Sequence, residues 1–386
     1  MPETCFDFVV VGAGCFGAWT AHALVRAGHK VLLLDAHGPA HSRASSGGES
    51  RVIRMGYGPD ELYTRWSVRS LAAWKALAAR SRRPLFRQTG MLWLAGAGSD
   101  YVVETERTLA RAGVPQEHLT ASELSRRFPQ ISTSGIDCAL WEPGSGALMA
   151  RQAVQTLVAE SIAEGLNYRT AAIAVADETA AGTTMDRIVT RDGTQYSAAR
   201  YVFACGAWLP KLFPRLLGSR IFPTRQEIFF FATPPGDDAF SAPAMPAWFH
   251  HPALVYGIPD LDHRGFKISV DEHGPAIDPD REDRAPGADA LARARAYLAI
   301  RFPKLAGAAL AESRVCQYEN TANGDFIIDR HPAFDNVFIA GGGSGHGFKH
   351  GPAVGDYAAR LALAGAGDEP RFAVAGKATT QRRSVY

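Results

Sequence analysis

Between Phe6 and Asp35 the chain passes from an apolar run, Phe6-Asp7-Phe8-Val9-Val10-Val11, through Gly12-Ala13-Gly14-Cys15-Phe16-Gly17, into Ala18 to Ala27, a stretch of good helix formers. Gly28 stands where such a helix would stop, and Lys30-Val31-Leu32-Leu33-Leu34 is a second apolar run that ends on Asp35. Short buried runs on either side of a helical segment predict a βαβ unit of about 30 residues, with G-x-G-x-x-G at its first turn.

The residue types follow from what a dinucleotide asks of such a turn. Gly12 permits the tight bend, Gly14 lets the backbone come close to a pyrophosphate, and Gly17 lets helix and strand pack closely. The helix N-terminus offers free N–H groups and a positive dipole end to the anion. Asp35 can accept both hydroxyls of a ribose and would repel a 2′-phosphate. The motif by itself does not choose between FAD and NAD.

A chain of 386 residues suits two domains, and 46% hydrophobic with 21% charged residues is a globular composition. Lys and Arg number 41 against 39 Asp and Glu, so nothing in the charge implies a nucleic acid or an anionic membrane as partner. No apolar stretch approaches a membrane span, and no signal peptide is visible. The five cysteines, Cys5, Cys15, Cys138, Cys205 and Cys316, are far apart and form no C-x-x-C. A disulfide framework or a metal site is therefore not expected, and a cytoplasmic location is.

Further along, Ser45-Ser46-Gly47-Gly48-Glu49-Ser50-Arg51 is small and glycine-rich and leads to Val52-Ile53-Arg54. It suits close approach to a phosphate or a flavin ring, and Arg51 and Arg54 would share a face if the segment were helical. Pro59 to Arg80 reads as a helix whose tryptophans pack in the core, and Phe86 to Leu94 as a strand. Tyr101 to Ala112 and Thr120 to Phe128 read as helices, the second opened by a capping box of Thr120 and Glu123. Arg151 to Glu164 reads as a helix, Tyr168 to Val175 and Asp186 to Thr190 as strands, and Asp192-Gly193 as a hairpin turn. Tyr201 to Trp208 is a strand running into a glycine turn at Gly206, the kind of place where ligands sit in open α/β sheets. Residues 221–235 and 245–271 read as an antiparallel sheet with loops, and Ala288 to Phe302 as a helix.

The last part of the chain is dense in reactive side chains. Val337 to Ala340 meets Gly341-Gly342-Gly343-Ser344-Gly345-His346-Gly347-Phe348-Lys349-His350, and a helix follows from Gly351 to Gly365. This is a second cradle of free N–H groups, suited to an anionic or electron-rich ring edge. The helix dipole disfavours a lysine at a helix start, so Lys349 reads as functional.

Three segments together, Ser45 to Arg54, Cys316-Gln317-Tyr318-Glu319-Asn320-Thr321 with Phe326-Ile327-Ile328-Asp329, and Ser344 to Lys349, resemble the monomeric sarcosine oxidase and N-methyltryptophan oxidase family. These are FAD enzymes of the D-amino-acid-oxidase-like superfamily, and the likeness runs over nearly the whole chain. The resemblance implies a flavin thioether at Cys316, a substrate carboxylate held by Arg54 and Lys349, and a reaction with oxygen promoted by Lys349. It places Arg51 beside the flavin ring and Lys267, Tyr256 and His346 around flavin and substrate. As FAD-binding residues it implies Gly12, Gly14, Phe16, Gly17, Asp35, Ser45, Ser46, Arg51, Val175, Gly206, Trp208, Cys316, Tyr318, Gly345, His346, Gly347 and Lys349.

Two positions depart from the pattern. Asp271 stands where the family has a histidine near the substrate amine, and His273 would point to the same side if Asp271 lay in a strand. Gly343 replaces a bulkier residue, which would enlarge the pocket. Both turn the expectation away from sarcosine itself.

The expected fold is a two-domain α/β flavoprotein. A discontinuous, Rossmann-like FAD domain takes 1–85, 150–220 and 315–386, and a mixed-sheet substrate domain takes 86–149 and 221–314. The expected function is oxidation of a secondary, N-methyl amino acid, with oxygen reduced to hydrogen peroxide, by a monomer with no membrane or nucleic-acid partner. The alternatives are oxidation of a cyclic or sugar-substituted amino acid (pipecolate-like or fructosyl), an NAD-dependent dehydrogenase, and a non-catalytic flavin-binding module.

Overall fold

The computed structural model describes residues 6–175, 178, 183–281, 283–365 and 367–381; Cys5 lies outside them. Phe6–Val11, Cys15–Arg26 and Val31–Asp35 form the expected strand, helix and strand. They belong to a six-stranded sheet in the order Ile327–Arg330, Val337–Gly341, Ala198–Phe203, Phe6–Val11, Val31–Asp35, Asn167–Thr170. All neighbours are parallel except Ile327–Arg330, which runs antiparallel to Val337–Gly341. Every residue of Val31–Asp35 and Val337–Gly341 is buried, as continuous apolar strands are when layers cover both faces.

One covering layer joins the two ends of the chain. Helix Cys15–Arg26 packs against Gly351–Ala364 through glycines. A Cβ at Gly355 would fall 2.5 Å from the Trp19 backbone, and one at Gly351 2.4 Å from Cys15 Sγ. Beyond this helix, Arg371 bridges Asp60 at 2.6 Å and Asp325 at 2.5 Å, and Tyr63 Oη donates to the same Asp325 at 3.0 Å.

A second, eight-stranded sheet has the order Leu310–Asn320, Phe222–Phe231, Phe266–Val270, Val255–Ile258, Ala247–His250, Met91–Ala95, Cys138–Glu142, Glu117–Thr120. Leu310–Asn320 pairs with Phe222–Phe231 along its length, from Phe222↔Asn320 to Phe231↔Leu310. A domain boundary at residue 315 therefore cuts through a strand, and this edge strand belongs to the second sheet. A small sheet of Arg51–Ile53, Gly146–Leu148 and Phe86–Arg87 lies apart from both large ones.

Several local expectations are corrected. Phe86 to Leu94 breaks in two because Gly90 takes φ +71°, and its halves enter different sheets. The segment around Arg51 is a strand, so the shared helical face of Arg51 and Arg54 does not form. The strand expected over Tyr168 to Val175 stops at Thr170. The Asp192-Gly193 hairpin is present but joins only Ile188–Val189 to Gln195–Tyr196. The capping box forms as expected, with Glu123 N donating to Thr120 Oγ1 and Thr120 N to Glu123 Oε2. No helix among the described residues is long and apolar enough to cross a membrane.

Candidate active site

A long cavity follows the carboxyl ends of the parallel strands and then turns under the second sheet. Its first stretch is the glycine turn. Gly12 has φ +102°, and a Cβ there would meet Ala204 O at 2.4 Å. At Gly17 a Cβ would lie 1.8 Å from Gly12 O, so the helix can close on the turn only without a side chain. A Cβ at Gly14 would meet only Ser46 Oγ, at 3.5 Å, because that position faces the cavity. Ser46 Oγ accepts a hydrogen bond from Cys15 N at 2.9 Å and so completes the helix N-terminus from the 45–51 loop. Asp35 accepts from Ala13 N at 2.8 Å and from His37 N and Gly38 N at 2.9 Å each. These bonds hold its carboxylate at the cavity wall, with lone pairs left for a ribose.

Around this stretch, Trp208 lines the wall and donates from Nε1 to Asp280 Oδ1 at 2.7 Å. Val175, expected here, is 62% exposed and lies off the cavity. With the strand ended at Thr170, the chain reaches the wall through Ile173 instead.

The far stretch is lined by Arg51, Arg54, Met91, Phe249, Tyr256, Asp271, Cys316, Tyr318, His346 and Lys349. Gly345, at φ +76°, brings the C-terminal cradle against Tyr318, where a Cβ would approach the ring to 2.7 Å. At Gly347 a Cβ would press on Phe16 and Gly343, at 2.8 Å from each. Gly343 does not enlarge the pocket as expected, because the Glu319 carboxylate fills the space beside it, 2.9 Å from where a Cβ would stand.

Arg54 is buried between the rings of Tyr57 and Trp93, its guanidinium carbon 4.4 Å and 4.6 Å from their centroids. Two aromatic faces fix its plane and leave its edge for a carboxylate. It also donates to Gly56 O. Glu142, fully buried, organises this frame. It accepts from Trp93 Nε1 at 2.6 Å, Met55 N at 2.9 Å, Gly56 N at 3.1 Å and Ser145 Oγ at 2.7 Å.

Lys349, also buried, donates to Tyr57 Oη at 2.8 Å and to His346 O at 2.9 Å. The same Tyr57 Oη lies 2.7 Å from His350 Nε2 and 3.2 Å from His346 Nδ1, and His346 Nε2 lies 2.9 Å from Gly324 O. A donor-only lysine at one end and an acceptor-only carbonyl at the other set the direction, from Lys349 through Tyr57 and His346 to Gly324. Burial and the neighbouring Lys349 keep His350 neutral, well below the usual histidine range.

On the opposite wall Tyr318 Oη donates to Asp271 Oδ1 at 2.6 Å. Burial, and then Asp271, raise the Tyr256 hydroxyl above its ordinary value. His273 does not join them: the strand ends at Val270, the alternation lapses, and the His273 ring bonds Gln381. Arg51 donates to Ser45 O at 2.7 Å and Ser50 O at 2.8 Å and reaches Cys316 Sγ at 3.4 Å. Lys267 stands behind this wall rather than on it. Its Nζ donates to Ser50 O at 2.8 Å, and burial, helped by the Arg51 charge, pushes its pKa down to about 7.

The structure thus brings most of the expected residues to one cavity and leaves out Val175, Gly17 behind its turn, and Lys267. Tyr57, Trp93, Glu142 and Glu319 were missed. They are ordinary core residue types by sequence, and only Glu319, inside the motif around Cys316, carried a signal.

A βαβ glycine turn, an acid at the next strand end and a second glycine cradle on one cavity make a site of dinucleotide-binding form. The match to the FAD dependent oxidoreductase family (DAO) over residues 7–361 makes the cofactor FAD, and the chain belongs to that family. It is similar to monomeric sarcosine oxidase of Bacillus sp. (strain B-0618), 31% identical over 368 residues, 94% of this chain and 93% of that protein. It is 31% identical over 368 residues to N-methyl-L-tryptophan oxidase of Salmonella arizonae, covering 93% of this chain and 95% of the relative. In fold it resembles L-proline dehydrogenase from P. horikoshii, with a TM-score of 0.83 at 22% identity, covering 97% and 98% of the two chains.

Proposed function

We propose that the protein is an FAD-dependent oxidase of a secondary, N-methyl amino acid. The observation that carries this reading is the pair of buried cations at the far end of the cavity, Arg54 and Lys349, tied through Tyr57. A guanidinium held flat between two rings and a buried lysine on the same wall suit an α-carboxylate brought by the substrate, Arg54 by its fork and Lys349 as a point charge. Tyr256, Phe249 and Met91 then wall the amine and its substituent. Bound FAD would supply the redox chemistry, hydride uptake from the substrate carbon and two-electron reduction of oxygen to hydrogen peroxide. The resulting imine takes up water and, from an N-methyl substrate, splits into the primary amino acid and formaldehyde.

Cys316, beside Arg51 on the wall, is the candidate for covalent attachment of the flavin. Acid precipitation of the holoprotein should leave the yellow colour in the pellet, and Cys316→Ala should release it. Lys349 is engaged with the carboxylate in this reading. A second lysine, Lys267, is held in a dry site beside Arg51, where its charged form would also favour electron transfer to oxygen.

Asp271 supports a second reading. Its carboxylate, paired with Tyr318, would favour a cyclic or sugar-bearing amine that brings extra donors. Anaerobic mixing with sarcosine, N-methyltryptophan, pipecolate and a fructosyl amino acid separates the two. Fast bleaching of the flavin by either N-methyl substrate supports the first reading. Bleaching only by the latter pair overturns it in favour of the second.

A further inference from the structure

Glu319 is a buried acid that the function above does not use. The edge strand Leu310–Asn320 turns its residues alternately to two sides, so Cys316 and Tyr318 alternate with Gln317 and Glu319. All four line the cavity. Glu319 is 8% exposed, and its side chain enters a slot between two glycines. A Cβ at Gly206 would lie 2.5 Å from its Oε2, and one at Gly343 2.9 Å from its Oε1. Oε1 accepts from Gly343 N at 3.2 Å. Oε2 is buried and has no hydrogen-bond partner among the described residues. Burial raises this carboxyl to about 7, which the hydrogen bond from Gly343 N only partly offsets. A buried acceptor left without a donor is costly, which points to a donor that comes with a ligand.

The strand order indicates which part of the ligand arrives there. Asp35, the 12–17 turn, Gly206 and Gly343 follow the carboxyl ends of four neighbouring strands in sheet order. Neighbouring strands are about 4.8 Å apart. A dinucleotide with its ribose at Asp35 and its pyrophosphate at the turn lays its next segment over Gly206 and Gly343. In FAD that segment is the ribityl chain, which carries hydroxyl donors, whereas the pyrophosphate offers only acceptors and like charge.

We propose that Glu319 is a cofactor-binding residue whose Oε2 accepts a hydrogen bond from a ribityl hydroxyl of FAD. This rests on the use of FAD and not on the identity of the amino acid substrate. The test takes full-length Cys316→Ala apoprotein, so that flavin exchanges freely, and titrates it by fluorescence quenching with FAD and with its 2′-, 3′- and 4′-deoxyribityl analogues. Adding Glu319→Ala should weaken FAD binding about ten-fold, the scale of one buried hydrogen bond. One deoxy analogue should show the same loss with Glu319 present and no further loss in Glu319→Ala. Glu319→Gln, which keeps an acceptor oxygen, should fall between. Equal binding of FAD and all three analogues by the protein that retains Glu319 overturns the proposal without any reliance on the folding of a variant. So does a loss in Glu319→Ala that is the same for FAD and for every analogue, which would make the residue a wall and not a partner.

Discussion

The two ends of the cavity are built on different plans. The nucleotide end is made of backbone: Gly12, Gly14 and Gly17 and the N–H groups around Asp35, nearly all within one run of residues 12–38. The far end, proposed for the substrate, is made of side chains gathered from across the chain, among them Arg54, Trp93, Glu142, Asp271 and Lys349, in a network whose hydrogen bonds span up to 293 positions, as between Tyr57 and His350. A backbone site tolerates little change because no rotamer can absorb an error. A side-chain site can be retuned one residue at a time, and Asp271 is the position where the resemblance implies a histidine instead.

The sharpest way to break this contrast is at the glycine turn. Gly17→Ala places a methyl group 1.8 Å from Gly12 O, and backbone must move to admit it. We expect purified protein with essentially no bound flavin, read from its absorbance; a yellow, fully loaded Gly17→Ala variant would show that the turn is less rigid than described. At the other end, Arg54→Met should leave flavin content intact and lower the rate of anaerobic bleaching at limiting substrate about a thousand-fold. That corresponds to two lost charge-assisted hydrogen bonds of about 2 kcal/mol each. Arg54→Lys should recover only part of it, since Lys lacks the fork that Tyr57 and Trp93 sandwich.

The smallest effect concerns Lys267, which lies between the two plans. Lys267→Met should slow flavin reoxidation by oxygen while leaving anaerobic bleaching nearly unchanged. It should also change the dependence of stability on pH. The folded pKa is about 7, below the unfolded value of about 10.4, so the unfolded chain binds more protons between these limits. Burying this lysine is most unfavourable below pH 7, and the penalty fades as pH rises toward 10. The gain in Tm of Lys267→Met over the parent should shrink over the same interval, and a gain independent of pH would place the charge elsewhere.

The same contrast explains what could be read from the sequence. The βαβ unit, the parallel sheet and the glycine cradles were legible because each is set by neighbours within about 30 residues, as glycine turns and helix termini are. Lys349 stood out from its place at a helix start, but the carboxylate role proposed for it and for Arg54 came only through a resemblance, since nothing near either one announces a carboxylate site. Glu142 and Tyr57 went unseen because their value lies in partners far along the chain: Glu142 looks like a loop acid until Met55, Gly56 and Trp93 converge on it. Val175 and His273 lie off the cavity for a local reason. The strands end at Thr170 and Val270, short of both residues, and beyond those ends side-chain direction no longer follows a period of two.

The packing of the first helix on the last has a bearing on the order of events during synthesis. Helix Cys15–Arg26, which carries the pyrophosphate end, leans on Gly351–Ala364, and strand Val337–Gly341 lies inside the sheet rather than at its edge. Arg371 then fastens Asp60 to Asp325. A nascent chain still held on the ribosome at residue 330 has its glycine turn but neither the inner strand Val337–Gly341 nor the face on which that helix rests. Stable capture of the cofactor is therefore expected to follow release from the ribosome, and a truncation that removes the last helix is expected to lower flavin content.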